Sequence, residues 1–196
     1  MNALFAVLLI PLQALFFLYL LAIVMRFLLQ LVRADFYNPV SQFLVKITNP
    51  LLLPLRKVIP GYAGIDFACV VLALIVQMVG TQVLVFLKFG ALVGIVPLLV
   101  ASLFGLVALL LKFYFFAIIL MIILSWVAPG TNSPVVLLLY QLTEPVMAPF
   151  RKLIPALGGL DLSPIVVFIV INMLNEVLRQ GALAAGIAGL VPWLGW

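Results

Sequence analysis

The stretch NPLLLPLRKVIPGYAGID, Asn49–Asp66, decides how this chain is organised, because the chain repeats it. Ninety-five residues later, Glu144–Asp161 reads EPVMAPFRKLIPALGGLD. Both stretches carry prolines, an Arg-Lys pair, an Ile-Pro pair, a glycine and a final aspartate in the same register. The sequence therefore predicts two tandem repeats, residues 3–97 and 98–192.

The composition places this chain in a lipid bilayer. Of its 196 residues, 68% are hydrophobic and only 8% are charged, with a mean hydropathy of +1.45. Soluble domains carry roughly a quarter charged residues. The apolar runs approach or exceed the ~20 residues that cross a hydrocarbon core, and helices are the expected spanning element because lipid offers no partner to unpaired backbone groups.

The repeat decides how many spans to expect. The apolar block Phe89–Val127 reads as two helices broken at Lys112, or as a connector followed by one helix that contains Lys112. The 95-residue offset favours the second interpretation. We therefore predict an all-α transmembrane fold of four spanning helices, arranged as two tandem hairpin repeats in parallel orientation. The spans are about 3–32, 67–87, 98–127 and 162–180.

The segment that joins the two spans of each repeat is rich in proline. Proline removes a backbone donor and restricts the preceding residue, so we expect no long helix here. The segment is nevertheless too apolar for open water and too short to cross the bilayer. The prediction is a proline-broken interfacial or re-entrant loop in each repeat. The loop-shaping prolines are Pro50, Pro54 and Pro60, and Pro145, Pro149 and Pro155.

Each predicted loop ends in charged residues with two plausible uses. The pairs Arg56-Lys57 and Arg151-Lys152 suit anchoring at lipid head groups, or docking of a cytoplasmic partner. Asp66 and Asp161 each precede a span, where a carboxylate can accept amide hydrogens at a helix start. A salt bridge from Asp66 to Arg56, or from Asp161 to Arg151, is compatible with that capping.

Polar side chains also occur inside the predicted spans. In the fourth span, one helix face carries a polar stripe, defined here as Asn172, Asn175, Glu176 and Arg179. Lys112 in the third span lies at about the same depth as Glu176. We therefore predict an ion pair between Lys112 and Glu176, with Arg179 as a competing partner. The pair is either a structural clamp or part of an ion or proton path.

The basic residues predict the orientation in the membrane. Most lie at the loop side, whereas Lys88 and Arg179 lie toward the other side, so the loops are predicted to be cytoplasmic and the termini periplasmic. Arg26, about two turns from the end of the first span, can snorkel to the head groups. The start MNALFAVLLI lacks a basic region and a cleavage pattern, and we read it as a retained helix.

The residue types argue against an enzyme. There is no histidine, the five acidic residues are scattered, and no glycine-rich phosphate loop occurs. One cysteine and no histidine leave no metal site of recognisable spacing, and no cofactor is expected. The net charge of +5 sits beside membrane spans, so phospholipid head groups and not nucleic acid are the expected anionic neighbours.

One family shares these motifs. The run DFYNPVSQFLVKITNPLLLPLRKVIP, Asp35–Pro60, with its echo in Glu144–Asp161, resembles the YggT family of integral membrane proteins, and the resemblance covers nearly the whole chain. The DFYNP segment is similar to the proteobacterial branch with two such domains. In the second repeat GTNSP replaces DFYNP.

The resemblance implies a bacterial inner-membrane location and a function without shared chemistry. Relatives are associated with osmotic stress and ion uptake, with division-linked gene neighbourhoods, and with cytochrome assembly in plastids. We therefore expect a non-enzymatic scaffold or assembly factor. Its expected partners are membrane lipids, a membrane or cytoplasmic protein, and further copies of itself. The alternative is an oligomeric channel or transporter component for ions or osmolytes.

Overall fold

The described part of the chain is helical throughout. The computed structural model describes residues 3–62, 64–128, 130–131, 133–153 and 161–191. Within these ranges the only pairing of strand type is an isolated bridge between Tyr62 and Ile65. The predicted all-α fold is confirmed. The helices are α1 (Ala3–Leu31), α2 (Pro39–Val58), α3 (Phe67–Phe89), α4 (Ile95–Val127), α5 (Pro134–Leu153) and α6 (Ser163–Ala184), followed by a short 3-10 helix (Ala188–Leu190).

Four of these helices can cross a membrane. They are Leu9–Leu31 within α1, and the whole of α3, α4 and α6. The shortest has 22 residues and is therefore about 33 Å long, against a hydrocarbon core of about 30 Å. Helix α4 runs unbroken through Lys112. The four predicted spans are confirmed, and the protein is a multi-pass membrane protein.

The segments between the paired spans are helices, which corrects the sequence prediction of proline-broken loops. Pro50 and Pro54 lie inside α2, and Pro145 and Pro149 lie inside α5. Helix α5 begins and ends 95 residues after α2. Pro60 lies just beyond the end of α2, and Pro155 is outside the described residues.

The prolines are tolerated because of where they lie on the helix. Pro50 and Pro54 are four residues apart and exposed, so the carbonyls that they leave without a donor occupy the outer side of α2. The opposite side is buried at Ser41, Leu44, Thr48 and Leu52. Packing of this buried face compensates for the missing hydrogen bonds. Helices α2 and α5 are thus amphipathic and suited to a membrane surface.

The six helices pack as two similar groups. Helix α1 contacts α2 and α3, and α4 contacts α5 and α6, while α3 and α4 join the groups. Ile23, Leu52 and Leu72 belong to a core that also takes in buried residues of α4 and α5. Ile118 and Val167 belong to a second core between α4, α5 and α6. The repeat boundaries at 3–97 and 98–192 stay a prediction.

Gly105 lets the two groups of helices approach closely where α4 packs against α3. A Cβ atom added at Gly105 of α4 would lie 2.7 Å from the side-chain nitrogen of Gln77 in α3. Gln77 is buried, and so is the nearby Ser102 of α4. Small residues let membrane helices approach closely enough for such polar packing. The contact joins residues of different repeats, and neither repeat's sequence indicates it alone.

Candidate functional site

The first repeat contains a partly open polar cavity beside α2. Its volume is about 790 Å³, and α1, α2 and the start of α3 supply its walls. Its charge is mainly positive, because it has three arginines and one aspartate. The polar residues that line it are Arg26, Gln30, Arg33, Ser41, Asn49, Arg56 and Asp66.

Arg26 lies at the inner end of this cavity. The residue is only 7% exposed, although it is part of a membrane-spanning helix. Its Nη1 donates to Thr48 Oγ1 at 2.5 Å, to Asn49 Oδ1 at 2.9 Å and to the Val45 carbonyl at 3.2 Å. All three acceptors are uncharged groups of α2. The sequence allows Arg26 to snorkel to the head groups, but in the structure α2 covers the side chain and supplies its hydrogen-bond acceptors.

Arg56 and Asp66 form the opposite wall. Arg56 Nη2 and Nε donate to Asp66 Oδ2 at 2.5 and 3.0 Å. The other carboxylate oxygen accepts the Cys69 amide at 3.3 Å, so Asp66 also caps α3. The side chain of Asp66 is 4% exposed, against 38% for Arg56. One buried carboxylate therefore holds the end of α2 and the start of α3 together.

Arg33 occupies a strained position among the lining residues. Its φ is 52°, in the left-handed region that favours glycine. The turn follows the end of α1, where the Ala34 amide donates to the Leu29 carbonyl at 2.9 Å. A side chain other than glycine here costs roughly 1–2 kcal/mol, and such strain concentrates at functional positions. The sequence carries no signal for this geometry.

The second repeat has a cavity in the equivalent place, but its polar groups differ. The cavity of about 410 Å³ is lined by Arg151 and Asp161, which correspond to Arg56 and Asp66. At the position that corresponds to Arg26 the second repeat has Met121, which also lines this cavity. The second site thus keeps the ion pair and lacks the buried arginine.

Arg151 is held by two carboxylates. Its Nε donates to Asp161 at 2.9 Å and its Nη1 to Glu144 at 2.5 Å. Partial burial acts to raise the pKa of Asp161, but hydrogen bonds from the Ser163 hydroxyl and amide and from Arg151 outweigh it, and the pKa lies below its ordinary value. Burial likewise acts to lower the pKa of Arg151, but its carboxylate partners bring the net pKa above the ordinary value.

The two Arg-Lys pairs divide their roles. Arg56 and Arg151 form ion pairs with carboxylates of their own repeats. Lys57 and Lys152, next in sequence, are exposed at the ends of α2 and α5. The arginines therefore join the helices of each repeat, while the lysines leave their charge exposed.

The polar stripe of α6 faces outward. Asn172, Glu176 and Arg179 are exposed. Asn175 is partly buried, and its amide nitrogen has no hydrogen-bond partner among the described residues. Arg179 donates to Glu176 through Nε at 2.7 Å and Nη2 at 2.6 Å.

For Glu176 the sequence predicts an ion pair with Lys112 and names Arg179 as the competing partner. The structure pairs Glu176 with Arg179, the competing partner, because these two share the outer face of α6. Lys112 instead lines an apolar cavity of about 310 Å³ with Phe17, Leu109 and Phe113. Equal depth in two helices brings side chains together only if their faces also meet.

The DFYNP segment of the first repeat contacts the second repeat, which sequence reasoning missed. Asn38 donates from its side chain to the Pro134 carbonyl at 2.7 Å, and its Oδ1 caps α2 by accepting the Val40 amide. The Asp35 amide donates to Gln141 at 3.4 Å. The Pro134 carbonyl belongs to the GTNSP segment of the second repeat, so this segment accepts a hydrogen bond from the DFYNP segment of the first repeat. Among the described residues, no group of three or more acidic, cysteine or histidine side chains forms a metal site.

Comparison with known proteins gives one consistent result. The family model described as CCB3/YggT matches residues 1–87 and 100–182. An uncharacterized protein of Pseudomonas aeruginosa is 52% identical over 165 residues, which cover 84% of each chain. The uncharacterized protein YggT of Escherichia coli K12 is 36% identical over 169 residues, covering 86% of this chain and 87% of the relative.

A plant relative carries a functional name. The chloroplastic protein CCB3 of Arabidopsis thaliana, whose name refers to cofactor assembly of complex C, is 38% identical over 76 residues. This match covers 38% of this chain and 43% of the relative. No solved structure significantly matches the chain.

Proposed function

Because the chain belongs to the CCB3/YggT family, we propose that it acts as a non-enzymatic membrane scaffold or assembly factor. The name of the plant relative, which refers to cofactor assembly, supports this function class. In this protein the function requires a rigid surface that a partner can reach. Helices α2 and α5 are the best candidates, since both are amphipathic and they contact each other.

The observation that carries the proposal is the matched end of these two helices. Val58 at the end of α2 is 80% exposed, and Leu153 at the end of α5 is 76% exposed. Each follows an exposed lysine, Lys57 or Lys152. Apolar side chains beside cations are suited to a partner that presents apolar and acidic groups at the membrane surface. The ion pairs of Arg56 and Arg151 hold both ends in place.

Site-specific photo-cross-linking tests this proposal. A photoreactive residue is placed at Val58 or Leu153 in cells, and adducts are identified by mass spectrometry. The control position is Phe89 at the far end of α3, which is 74% exposed. The expected result is one reproducible protein adduct from Val58 and Leu153 that Phe89 does not give. Adducts with lipid alone, or the same proteins from all three positions, would contradict a docking surface.

We further propose that the protein lies in the bacterial inner membrane with α2 and α5 on the cytoplasmic side. The basic residues Lys46, Lys57 and Lys152 are exposed on these two helices, and the positive-inside rule favours the cytoplasm for them. Reporter fusions at Gly130, between α4 and α5, and after Trp196 test the orientation. A reporter active only in the cytoplasm is expected to work at Gly130 and to fail after Trp196. The reverse pattern would contradict this orientation.

An oligomeric channel or transporter component is the second candidate function, and the exposed polar stripe of α6 favours it. Asn172, Glu176 and Arg179 face outward from the described chain, at a depth where lipid is a poor solvent for them. Several copies could turn these stripes toward a shared interior. Ion flux through liposomes containing the purified protein tests this, with Glu176→Leu as the variant. Flux that Glu176→Leu abolishes would favour a channel over a scaffold.

A role in tolerance of osmotic stress, which the sequence resemblance implies, is part of the proposal and has a cellular test. A strain that lacks the gene is expected to grow more slowly at high osmolarity and to recover with the wild-type chain. Recovery by the Glu176→Leu variant would favour the scaffold. Normal growth of the deletion strain would contradict the osmotic role.

A further inference from the structure

We propose that the cavity of the first repeat is a binding site for a phosphate group, which Arg26 holds together with Arg33 and Arg56. No relative's name assigns such a site. The proposal is independent of the scaffold function.

The charge of Arg26 is unbalanced. Its three hydrogen-bond acceptors are uncharged, and it forms no ion pair with any carboxylate in the described ranges. Only Nη1 is used, so Nε and Nη2 donate to no described residue while the residue lines the cavity. A buried guanidinium without a counter-charge is costly. An anion in the cavity supplies both the charge and the acceptors that Arg26 lacks.

The cavity as a whole carries an excess of positive charge. Arg33 and Arg56 line it with Arg26, and Asp66 is the only acidic residue in its wall. Asp66 is engaged by Arg56, which leaves the cavity with an excess of two positive charges. Guanidinium groups present planar forks of donors that match the oxygens of phosphate. The volume of about 790 Å³ accommodates a phosphate group together with part of the molecule that carries it.

The depth of the cavity suits a head group. Arg26 is five residues before Leu31, where α1 ends, and therefore roughly 7.5 Å below that end. Arg33 follows the end of the helix. The cavity thus runs from just inside the hydrocarbon edge to the level of lipid head groups. Both a phospholipid head group and a free phosphate from the adjoining water can reach it.

The two repeats differ in the residues that such a site needs. The second repeat has Met121 in place of Arg26, Ala128 in place of Arg33 and Glu144 in place of Asn49. Glu144 and Asp161 together compensate Arg151. The shared ion pair is therefore sufficient to join the helices in either repeat. The additional arginines of the first repeat need a separate explanation, and anion binding provides it.

The test uses the full chain purified in a maltoside detergent, which contains no phosphate. Native mass spectrometry measures binding of phosphatidylglycerol, with diacylglycerol as the phosphate-free lipid control. Calorimetry measures binding of inorganic phosphate. The expected result is one tightly bound equivalent that requires the phosphate group. Binding of phosphatidylglycerol alone identifies a lipid head group as the source, and binding of inorganic phosphate that competes with the lipid identifies a free phosphate. Binding of neither, or equal binding of diacylglycerol, overturns the proposal.

Two matched variants locate the site. Arg26→Met installs the residue of the second repeat and is expected to weaken binding about tenfold or more. Lys57→Met removes an exposed cation from α2 outside the cavity and is expected to change affinity less than about twofold. Equal loss in both variants would mean non-specific attraction and would overturn the site.

Because misfolding of Arg26→Met would also abolish binding, a second variant is designed to gain binding. The triple variant Met121→Arg, Ala128→Arg and Glu144→Asn copies both arginines and the acceptor of Arg26 into the second repeat. It is expected to bind a second equivalent of the same probe. A misfolded protein cannot produce such a gain, and failure of a folded triple variant to gain binding would overturn the site assigned to these arginines.

Discussion

Arg56 and Asp66 join the end of α2 to the start of α3 through two hydrogen bonds to one carboxylate oxygen, at 2.5 and 3.0 Å. The same aspartate caps α3 through the Cys69 amide. Arg151 and Asp161 repeat the arrangement with a single bond at 2.9 Å and a second carboxylate, Glu144, nearby. The two joints therefore share a design and differ in burial and charge, so each serves as a control for the other.

Removing the aspartate is expected to cost more in the first repeat. Asp66→Ala should lower the free energy of unfolding by about 2 kcal/mol, because it removes a helix cap and leaves Arg56 without its acceptor. Asp161→Ala should cost about 1 kcal/mol or less, since its side chain is 42% exposed. Unfolding of both variants in SDS measures the difference. Equal losses would show that burial does not distinguish the joints.

The Asp161 joint is expected to depend on pH only in acid. The folded pKa of Asp161 lies below the ordinary 3.8, so its stabilisation is present above that value and is lost as pH falls through the folded pKa. Asp161→Asn should therefore differ from wild type by a constant amount between pH 7 and pH 5. The difference should shrink below about pH 4. Thermal unfolding across this range measures it, and a difference that changes between pH 5 and pH 7 would contradict the assignment.

Thr48 is expected to matter more than its counterpart Thr143. Thr48 Oγ1 accepts from Arg26 and donates to the Leu44 carbonyl at 2.6 Å, whereas Thr143 donates to the Leu139 carbonyl at 2.9 Å and has no arginine partner among the described residues. Thr48→Val should cost about 2 kcal/mol, because a buried guanidinium loses an acceptor, and Thr143→Val about 1 kcal/mol. Thermal unfolding compares the variants, and equal melting temperatures would argue against the hydrogen bond to Arg26.

Packing between α3 and α4 is expected to be sensitive at Gly105. Gly105→Leu forces Gln77 out of its position and should destabilise the protein by about 1–3 kcal/mol. The control is Gly189→Leu, where an added Cβ meets nothing within 4 Å. Thermal unfolding in detergent compares the two. A neutral Gly105→Leu would show that the helices can separate there without cost.

The partner of Glu176 is testable by charge exchange. Exchanging Glu176 with Arg179 keeps the pair on α6 and should preserve the folded yield in the membrane. Exchanging Lys112 with Glu176 places a carboxylate in an apolar cavity and should not rescue the loss seen in Lys112→Glu. Fluorescence size-exclusion chromatography of the purified variants measures folded yield. If the exchange of Lys112 with Glu176 did rescue the folded yield, it would support the ion pair between α4 and α6 that the sequence predicted.

Part of the site could be read from the sequence. The repeated Arg and Asp positions indicated a joint in each repeat, and the structure brings Arg56 to Asp66 and Arg151 to Asp161. Arg26 could have been singled out, because a cation inside an apolar run is expensive to bury. Its acceptors could not, since Thr48 and Asn49 reach it only through the packing of α2 on α1. The backbone conformation of Arg33 left no signal in the sequence.

By itself, the sequence determined the membrane class, the four spans and the register of the duplication, because hydrophobic length and spacing are local properties of the chain. Only the tertiary structure decided that Pro50 and Pro54 lie within a helix, that Arg26 is buried under α2, and that Glu176 pairs with Arg179. These outcomes depend on which helix faces meet. That choice is made by packing between residues distant in sequence, where the stabilisation of a buried face can outweigh the local preference of a proline or a charge.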